Sequence, residues 1–213
     1  RLCTILHPVI ALSPTAFAMP STQPLSTYIR SYDHDLSSDD CTALLRVFHD
    51  PASHRDSNGR ERRASLASSA WTEVNLNRHA SPALLEKLHR QVDAALARYN
   101  RDLGTIMPVP NSRHRADFIL KRYRPGGQER FQLHFDSLYD VSNRYLVFLW
   151  YLNDVPGGGE TVFPDQEVAI RPATGRLLVF PPYWLFPHAG EPPAGGDKFI
   201  LSTYLLFPAG VQT

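Results

Sequence analysis

Residues 131–136 read Phe131-Gln132-Leu133-His134-Phe135-Asp136, a short run that ends in a histidine and a carboxylate two positions apart. In a β-strand, residues i and i+2 point to the same side, so His134 and Asp136 can face one metal ion. His188 follows downstream as the candidate third ligand. Two imidazoles and one carboxylate on one face of an octahedral metal are typical of non-haem Fe(II) sites that react with oxygen. The pattern therefore predicts a metal site.

A lysine lies ten residues beyond the distal histidine. Lys198 places a positive charge about where a dicarboxylate co-substrate would need an anchor. A His-x-Asp tripeptide alone is a weak signal, because such tripeptides arise by chance and most histidines have structural or surface roles. The combination of the tripeptide with His188 and Lys198 is more specific.

Short apolar runs separated by glycine and proline turns fill the chain from residue 116 onward. Short strands at this spacing are typical of an all-β sandwich or jelly roll. The predicted strands are 116–124, 131–136, 145–153, 160–163, 167–171, 176–180 and 198–207.

The N-terminal half carries two helical patterns and two short strand patterns. Residues 36–40 supply cap and first-turn residues for a helix that reaches Phe48, and Ser81-Pro82 opens a longer helix that stops at Gly104. Residues 28–32 and 70–76 read as strands, whereas residues 51–65 read as a polar loop.

The predicted fold class is mainly β with α (α+β). It is a double-stranded β-helix of the jelly-roll or cupin-like kind, buttressed by N-terminal helices.

The predicted organisation has three parts. Residues 1–27 form a flexible leader, residues 28–115 a helical and strand support region, and residues 116–213 the β-helix core. The leader has two interpretations. Residues 16–18 (Ala-Phe-Ala) before Met19 resemble a cleavage site, but the chain begins with Arg1, and Met19 is an equally suitable natural start. We favour the second interpretation, in which residues 1–18 are upstream or tag residues.

The charge balance and the cysteine content indicate which classes of partner and which cellular compartment to expect. Twenty-two basic and 21 acidic side chains nearly cancel, so nothing in the balance indicates a nucleic-acid or membrane-surface partner. Cys3 and Cys41 do not make a disulfide framework, and no stretch is long and apolar enough to span a bilayer. A cytoplasmic protein is expected, with a secreted form left open by the first 18 residues. The oligomeric state is left open.

The segment from about residue 117 to residue 207 resembles the prolyl 4-hydroxylase-like branch of the Fe(II)/2-oxoglutarate-dependent dioxygenases. The resemblance covers nearly half of the chain, with its motifs in the family's order. The matching stretches are His134-Phe135-Asp136, Asn143-Arg144, Tyr151 to Val155, Gly158 to Pro164, Arg171 to Pro181, His188 to Pro193 and Gly196 to Phe199.

The resemblance implies a set of ligands. His134, Asp136 and His188 would bind Fe(II), and Lys198 would pair with the far carboxylate of 2-oxoglutarate. Oxygen would be the second co-substrate, and ascorbate use is implied by the resemblance alone. Because related halogenases lack the carboxylate ligand, Asp136 favours hydroxylation over halogenation.

The resemblance also implies residues around the metal. Tyr123 and Tyr151 lie where related enzymes place hydroxyls that help to hold the co-substrate, although each phenol is also a plausible core residue. Arg144, Tyr139 and Trp184 are candidates for the substrate side, with loop bracing or aromatic packing as the alternative.

The implied function is hydroxylation of an unactivated C–H bond, with succinate and carbon dioxide as co-products. The leading substrate is a prolyl-type residue in a peptide or protein. A free amino acid or a natural-product peptide is the alternative within the class. A Zn(II) or Mn(II) cupin-like hydrolase or isomerase is the alternative from another class, but it leaves Lys198 and the glycine-rich stretch before Glu160 without a role.

Overall fold

The computed structural model describes residues 23–60, 62 and 64–208. The helices are α1 (Ser38–His49), α2 (Leu76–His79) and α3 (Pro82–Leu103). The strands, β1 to β11 in chain order, are Arg30–Tyr32, Asp56–Gly59, Ala70–Asn75, Ile119–Tyr123, Phe131–His134, Arg144–Tyr151, Thr161–Phe163, Val168–Ile170, Leu177–Phe180, His188–Gly190 and Lys198–Leu206. The predicted leader lies almost entirely outside the described residues, as do Cys3 and residues 16–19.

The strands form two antiparallel sheets. The larger sheet has the order β1-β9-β6-β11-β4-β3-β2, and the smaller sheet has the order β5-β10-β7-β8. Strands from the predicted support region and from the predicted core share the larger sheet, since β3 pairs with β4 and β1 pairs with β9. The larger sheet therefore continues across residue 115.

The larger sheet separates two apolar clusters, and strand alternation decides which side chain joins which. On β6, Leu146, Phe148 and Trp150 pack in the cluster that contains the residues of α1 and α3. Val147 and Tyr151, which alternate with them, pack in the cluster on the opposite face. One face of the sheet is thus supported by helices, and the other faces the smaller sheet and the site described below.

Helix α3 begins and ends as the sequence predicts. The Ser81 hydroxyl accepts a hydrogen bond from the Leu84 N–H, and Pro82 occupies the first turn. Gly104 ends the helix in the left-handed region at φ 57°. The face of α3 that carries Leu88, Val92 and Leu96 is buried against the larger sheet.

The predicted fold class is confirmed, with differences in detail. The predicted core strands are present but shorter by one to four residues. Two strands were not predicted. Strand β2 lies in the stretch predicted as a polar loop, and β10 is a three-residue strand that contains His188. Neither has an alternating apolar pattern, because β2 is a polar edge strand and β10 is too short to display one.

None of the helices in the described part of the chain combines the length and hydropathy that a bilayer-spanning segment needs.

A buried carboxylate joins α3 to the centre of the larger sheet. The Asp35 side chain has no solvent exposure, and its oxygens lie 2.8 Å from Trp150 Nε1, 2.8 Å from Gln91 Nε2 and 3.3 Å from a guanidinium nitrogen of Arg98. Because Trp150 lies on β6 and the other two residues lie on α3, this one charge fixes the helix on the sheet. Removing it would leave the buried Trp150 Nε1–H without its acceptor and the Arg98 guanidinium without its ion pair.

We expect Asp35→Ala to lower the free energy of unfolding by about 2–4 kcal/mol, because the lost bonds involve a charged group and the donors become unsatisfied. Urea unfolding followed by circular dichroism measures the change, with an unchanged m value. Glu86→Ala is the control, since the exposed Glu86 pairs with the exposed Arg90 at the surface and should contribute less than about 1 kcal/mol. Equal losses in the two variants would contradict the role given to Asp35.

Candidate metal and co-substrate site

Two histidines face each other across neighbouring strands of the smaller sheet. His134 on β5 and His188 on β10 are paired residues in the antiparallel ladder, and their ring centroids are 4.3 Å apart. Phe131 stacks on His134 at 3.8 Å, while Phe163 and Phe180 pack against His188. Backbone pairing therefore determines the separation of the two imidazoles, and aromatic packing fixes their planes.

The carboxylate reaches the two imidazoles from the chain just beyond β5. The predicted strand 131–136 ends at His134, so strand alternation alone does not bring Asp136 to the site. Instead, the backbone N–H groups of Asp136 and Ser137 both donate to the carbonyl oxygen of Pro182 at 3.0 Å. This anchoring turns the Asp136 side chain towards the imidazoles.

Backbone carbonyls determine the tautomers of both imidazoles. His134 Nδ1 lies 2.7 Å from the carbonyl oxygen of Gln132, and His188 Nδ1 lies 3.1 Å from that of Phe186. A carbonyl oxygen only accepts hydrogen bonds, so each Nδ1 carries the proton and each Nε2 presents its lone pair. Metal-binding histidines are commonly oriented by such a hydrogen bond on the far nitrogen.

The three candidate ligands converge on one point. His134 Nε2 lies 3.3 Å from Asp136 Oδ1, and His188 Nε2 lies 3.4 Å from Asp136 Oδ2. All three ligand atoms lie within 4.8 Å of one another. Electron-rich atoms at this separation repel one another unless a positive charge lies among them, and two nitrogens with one carboxylate form the donor set that suits Fe(II). These residues fit a divalent metal.

Burial acts differently on the two buried ligands. It lowers the pKa of His188, assisted by the charge of His134 and opposed by Asp136, to about 4. His188 is therefore neutral and ready to bind a metal at neutral pH. Burial alone would raise the pKa of Asp136, but the adjoining imidazoles of His134 and His188, whenever they are protonated, and the permanent charge of Arg144 hold it well below its usual range. The carboxylate is ionised as a metal ligand must be.

A buried lysine begins β11 beside this triad. Lys198 is 2% exposed, and its Nζ donates to the carbonyl oxygens of Gly159 at 3.0 Å and Glu191 at 3.2 Å. The third ammonium N–H has no hydrogen-bond partner among the described residues. Burial lowers the pKa of Lys198 to about 7, against the charges of Glu160 and Glu191. A desolvated ammonium with a donor to spare is suited to an anion.

Gly159 makes room for this lysine. It has φ +80°, and a Cβ at this position would lie 3.2 Å from Lys198 Cδ and 3.3 Å from Pro172 Cγ. The glycine-rich stretch before Glu160 therefore has a steric reason, because a side chain here would crowd the lysine stem.

The triad and Lys198 line the same cavity, which has about 460 Å³ of empty space, part of it open to solvent. Five apolar side chains form walls, and Thr161, Ser202 and Tyr204 also belong to the lining. The apolar residues are Phe131, Val147, Leu149, Phe180 and Ile200. The cavity therefore offers a metal-binding end, a cationic end and largely apolar walls between them.

The two tyrosines predicted around the co-substrate occupy different places. Tyr123 lines the cavity, and Lys198 Nζ lies 4.7 Å from the centroid of its ring. Tyr151 is fully buried behind the wall, where its hydroxyl lies 2.6 Å from Thr161 Oγ1. Thr161, rather than Tyr151, lines the cavity.

The residues predicted on the substrate side are also divided. Arg144 and Tyr139 line a groove that adjoins His134 and Asp136 and has about 990 Å³ of empty space. The Arg144 guanidinium lies 4.0 Å from the Tyr204 ring centroid, and Tyr139 is 83% exposed. Trp184 is 69% exposed and is not part of this groove lining.

Several cavity residues were not predicted. Lys121 on β4 and Tyr204 on β11 line the cavity with the triad, and Thr161 joins them from β7. Strand alternation was the available signal. Lys121 precedes Tyr123 by two residues, and Tyr204 follows Lys198 by six, so both share a face with a predicted site residue.

Fold and site together define a class of protein. A double-stranded β-helix with two histidines, one carboxylate and a buried cation in one cavity is the architecture of an oxygenase that uses Fe(II) and a 2-oxo acid. The profile of the 2OG-Fe(II) oxygenase superfamily matches residues 118–206, which contain all four residues.

Comparisons with individual proteins agree with this match. Prolyl 4-hydroxylase 2 of Arabidopsis thaliana is 22% identical, over 95% of this chain and 74% of that protein. The crystal structure of the viral collagen prolyl hydroxylase vCPH from Paramecium Bursaria Chlorella virus-1, a 2OG complex, superposes with a TM-score of 0.60 at 20% identity, over 85% of this chain and 97% of that one. The structure of a Trichoplax adhaerens prolyl hydroxylase in complex with a hypoxia inducible factor peptide fragment superposes with a TM-score of 0.63 at 18% identity. The match covers 85% of this chain and 84% of that one.

Residues 118–206 therefore match the 2OG-Fe(II) oxygenase superfamily, and the chain is similar to prolyl 4-hydroxylases in sequence and in fold. The superfamily uses Fe(II), 2-oxoglutarate and oxygen. His134, Asp136 and His188 provide a donor set that fits the iron.

The lowered pKa of Lys198 leads to a pH dependence of 2-oxoglutarate binding. Above about pH 7 the lysine of the free protein is neutral, whereas a bound carboxylate favours the ammonium. Binding should take up about one proton near pH 8, and the apparent affinity should fall by up to about tenfold per pH unit above pH 7. Below that pH, down to about pH 6, it should be nearly constant.

Calorimetric titration of 2-oxoglutarate into the Mn(II)-loaded protein, in buffers with different heats of ionisation, measures this proton uptake. Lys198→Met is the control and should lose the pH-dependent component. Binding at about pH 8 without proton uptake would show that Lys198 is already charged in the free protein or does not contact the ligand.

Proposed function

We propose that this protein is a hydroxylase that inserts one oxygen atom into an unactivated C–H bond of a prolyl-type residue in a peptide. The substrate, 2-oxoglutarate and oxygen are converted to the hydroxylated product, succinate and carbon dioxide. One atom of oxygen enters the product and the other enters succinate. One observation carries the proposal: a ligand set that suits Fe(II) shares one cavity with a buried lysine.

In this proposal the two ends of the cavity have separate tasks. His134, Asp136 and His188 would hold the iron, which would also bind 2-oxoglutarate and oxygen. The iron, when bound, supplies the oxidising chemistry. Lys198 holds the far carboxylate of 2-oxoglutarate through a charge-assisted hydrogen bond. The chain's contribution is to orient the co-substrate and to keep water away with apolar walls.

The groove beside the metal ligands supports a peptide substrate. It is open and lined by Leu133, Leu138 and Tyr139, and Leu133 and Tyr139 are 56% and 83% exposed. Exposed apolar side chains next to a reactive centre are typical of a surface that binds a partner. The Trichoplax enzyme with a bound peptide fragment has the same fold.

A free amino acid is the second candidate substrate, because the groove also contains one acidic and one basic side chain. Asp140 and Arg144 line it together. Such a pair could recognise the ammonium and carboxylate of a single amino acid. The exposed apolar residues around the groove favour a peptide, since a free amino acid would leave them uncovered.

A hydrolase or isomerase that uses Zn(II) or Mn(II) has less support. The three ligands would suit zinc as well. However, that activity gives no role to a buried lysine in the same cavity, and the superfamily match covers both the ligands and the lysine.

The purified protein with Fe(II), ascorbate and 2-oxoglutarate should form succinate slowly without a substrate. His134→Ala should abolish succinate formation because it removes a metal ligand. Lys198→Ala should mainly raise the concentration of 2-oxoglutarate required, by about 10- to 100-fold, because it removes a charged hydrogen bond. Succinate is quantified by chromatography and mass spectrometry.

His54→Ala is the matched control, since His54 is exposed and pairs with Asp56 at the surface. Succinate formation that persists in His134→Ala would refute the assignment. The substrate class is tested with proline-containing peptides and free amino acids, by searching for products heavier by one oxygen atom. Oxygen incorporation into free amino acids alone would overturn the peptide proposal.

A further inference from the structure

A second lysine lines the cavity of the metal triad. Lys121 lies on β4, two residues before Tyr123, and strand alternation brings both side chains to the same face. It shares the cavity lining with His134, His188 and Lys198. The cavity therefore contains two ammonium groups, and the function proposed above uses only one of them.

Aromatic rings surround the Lys121 ammonium. Its Nζ lies 5.3 Å from the Trp71 ring centroid and 5.6 Å from that of Phe131. Trp71 and Phe131 stack at 4.7 Å, and Phe131 stacks in turn on His134 at 3.8 Å. An ammonium within about 6 Å of a ring centroid is attracted to the ring face, so this stack holds the Lys121 side chain on the side of the cavity that carries His134.

The β4–β11 register separates the two lysines along the cavity. Lys198 pairs with Tyr123, and Lys121 pairs with Ile200. The lysines are thus two residues apart along neighbouring strands, a step of about 7 Å. The two lysine side chains therefore enter the cavity from different positions along β4 and β11.

The use of lysine here is selective. The chain has 22 basic residues other than histidine, of which only Lys87, Lys121 and Lys198 are lysines and the others are arginines. Lys87 lies at the surface, where it pairs with Asp40. Both lysines with partly or fully buried side chains line the cavity. A compact ammonium can approach a carboxylate that also binds a metal, where a planar guanidinium needs more room.

We propose that Lys121 binds the carboxylate next to the keto group of 2-oxoglutarate, so that the two lysines hold opposite ends of the co-substrate. This inference rests on the proposed function, because it assumes that a 2-oxo acid occupies the cavity. Lys121 would act on any 2-oxo acid. Lys198 would act only on one with a distal carboxylate.

The test compares two ligands in the Mn(II)-loaded protein without oxygen. These are 2-oxoglutarate and 2-oxopentanoate, which has the same carbon chain but lacks the distal carboxylate. Calorimetry should show that Lys121→Met lowers the affinity for both ligands by about 10- to 100-fold. Lys198→Met should lower only the affinity for 2-oxoglutarate. Lys87→Met, the matched control, should bind both as the wild type does, and all variants should retain Mn(II).

A second measurement uses the wild-type chain, so that it does not depend on the folding of a variant. Both 2-oxo acids should protect Lys121 from acetic anhydride in the presence of Mn(II), as detected by peptide mass spectrometry. The acetylation of Lys87 should not change, which provides an internal control.

The outcomes separate the two proposals. Wild-type protein that binds Mn(II) but no 2-oxoglutarate would refute the proposed function, and this inference with it. Unchanged ligand affinities in Lys121→Met, or a loss confined to 2-oxoglutarate, would overturn the role of Lys121 alone. Loss of Mn(II) binding in Lys121→Met, with no protection of Lys121 in the wild type, would show a structural role and also overturn it.

Discussion

The site depends on the convergence of three electron-rich atoms that the backbone holds together. Ladder pairing places His134 opposite His188, and the Pro182 carbonyl anchors the chain that carries Asp136. Hydrogen bonds from each Nδ1 to a carbonyl fix both Nε2 lone pairs towards the carboxylate. Without a cation these atoms repel one another, so the rest of the fold must hold an arrangement that a metal ion stabilises.

The two faces of the larger sheet divide this work. One face packs on α1 and α3 and carries no site residue, and the buried Asp35 joins that helical layer to β6. The other face supplies Tyr123, Lys121 and Lys198 to the cavity. The smaller sheet supplies the two histidines. The helical layer packed behind the sheet therefore supports the positions of the cations relative to the metal ligands.

Local patterns predicted much of the fold and the metal half of the site. Helix α3 follows from Ser81-Pro82, its apolar spacing and Gly104, and the glycine turns separate the core strands. Strand β10 escaped prediction because three residues cannot display a period, although it sets the position of His188. The position of Asp136 depends on a long-range hydrogen bond to Pro182, which sequence spacing does not reveal. Lys121 and Tyr204 share a face with predicted site residues, but their roles depend on which strands are neighbours.

The most direct test of the central claim is a crystal structure of the protein with Mn(II) and 2-oxoglutarate, with anomalous scattering used to locate the metal. One anomalous peak is expected within bonding distance of His134 Nε2, His188 Nε2 and an Asp136 oxygen. The far carboxylate of the ligand should contact Lys198 Nζ. A metal bound by other residues, or 2-oxoglutarate bound away from Lys198, would contradict the roles assigned to these four side chains.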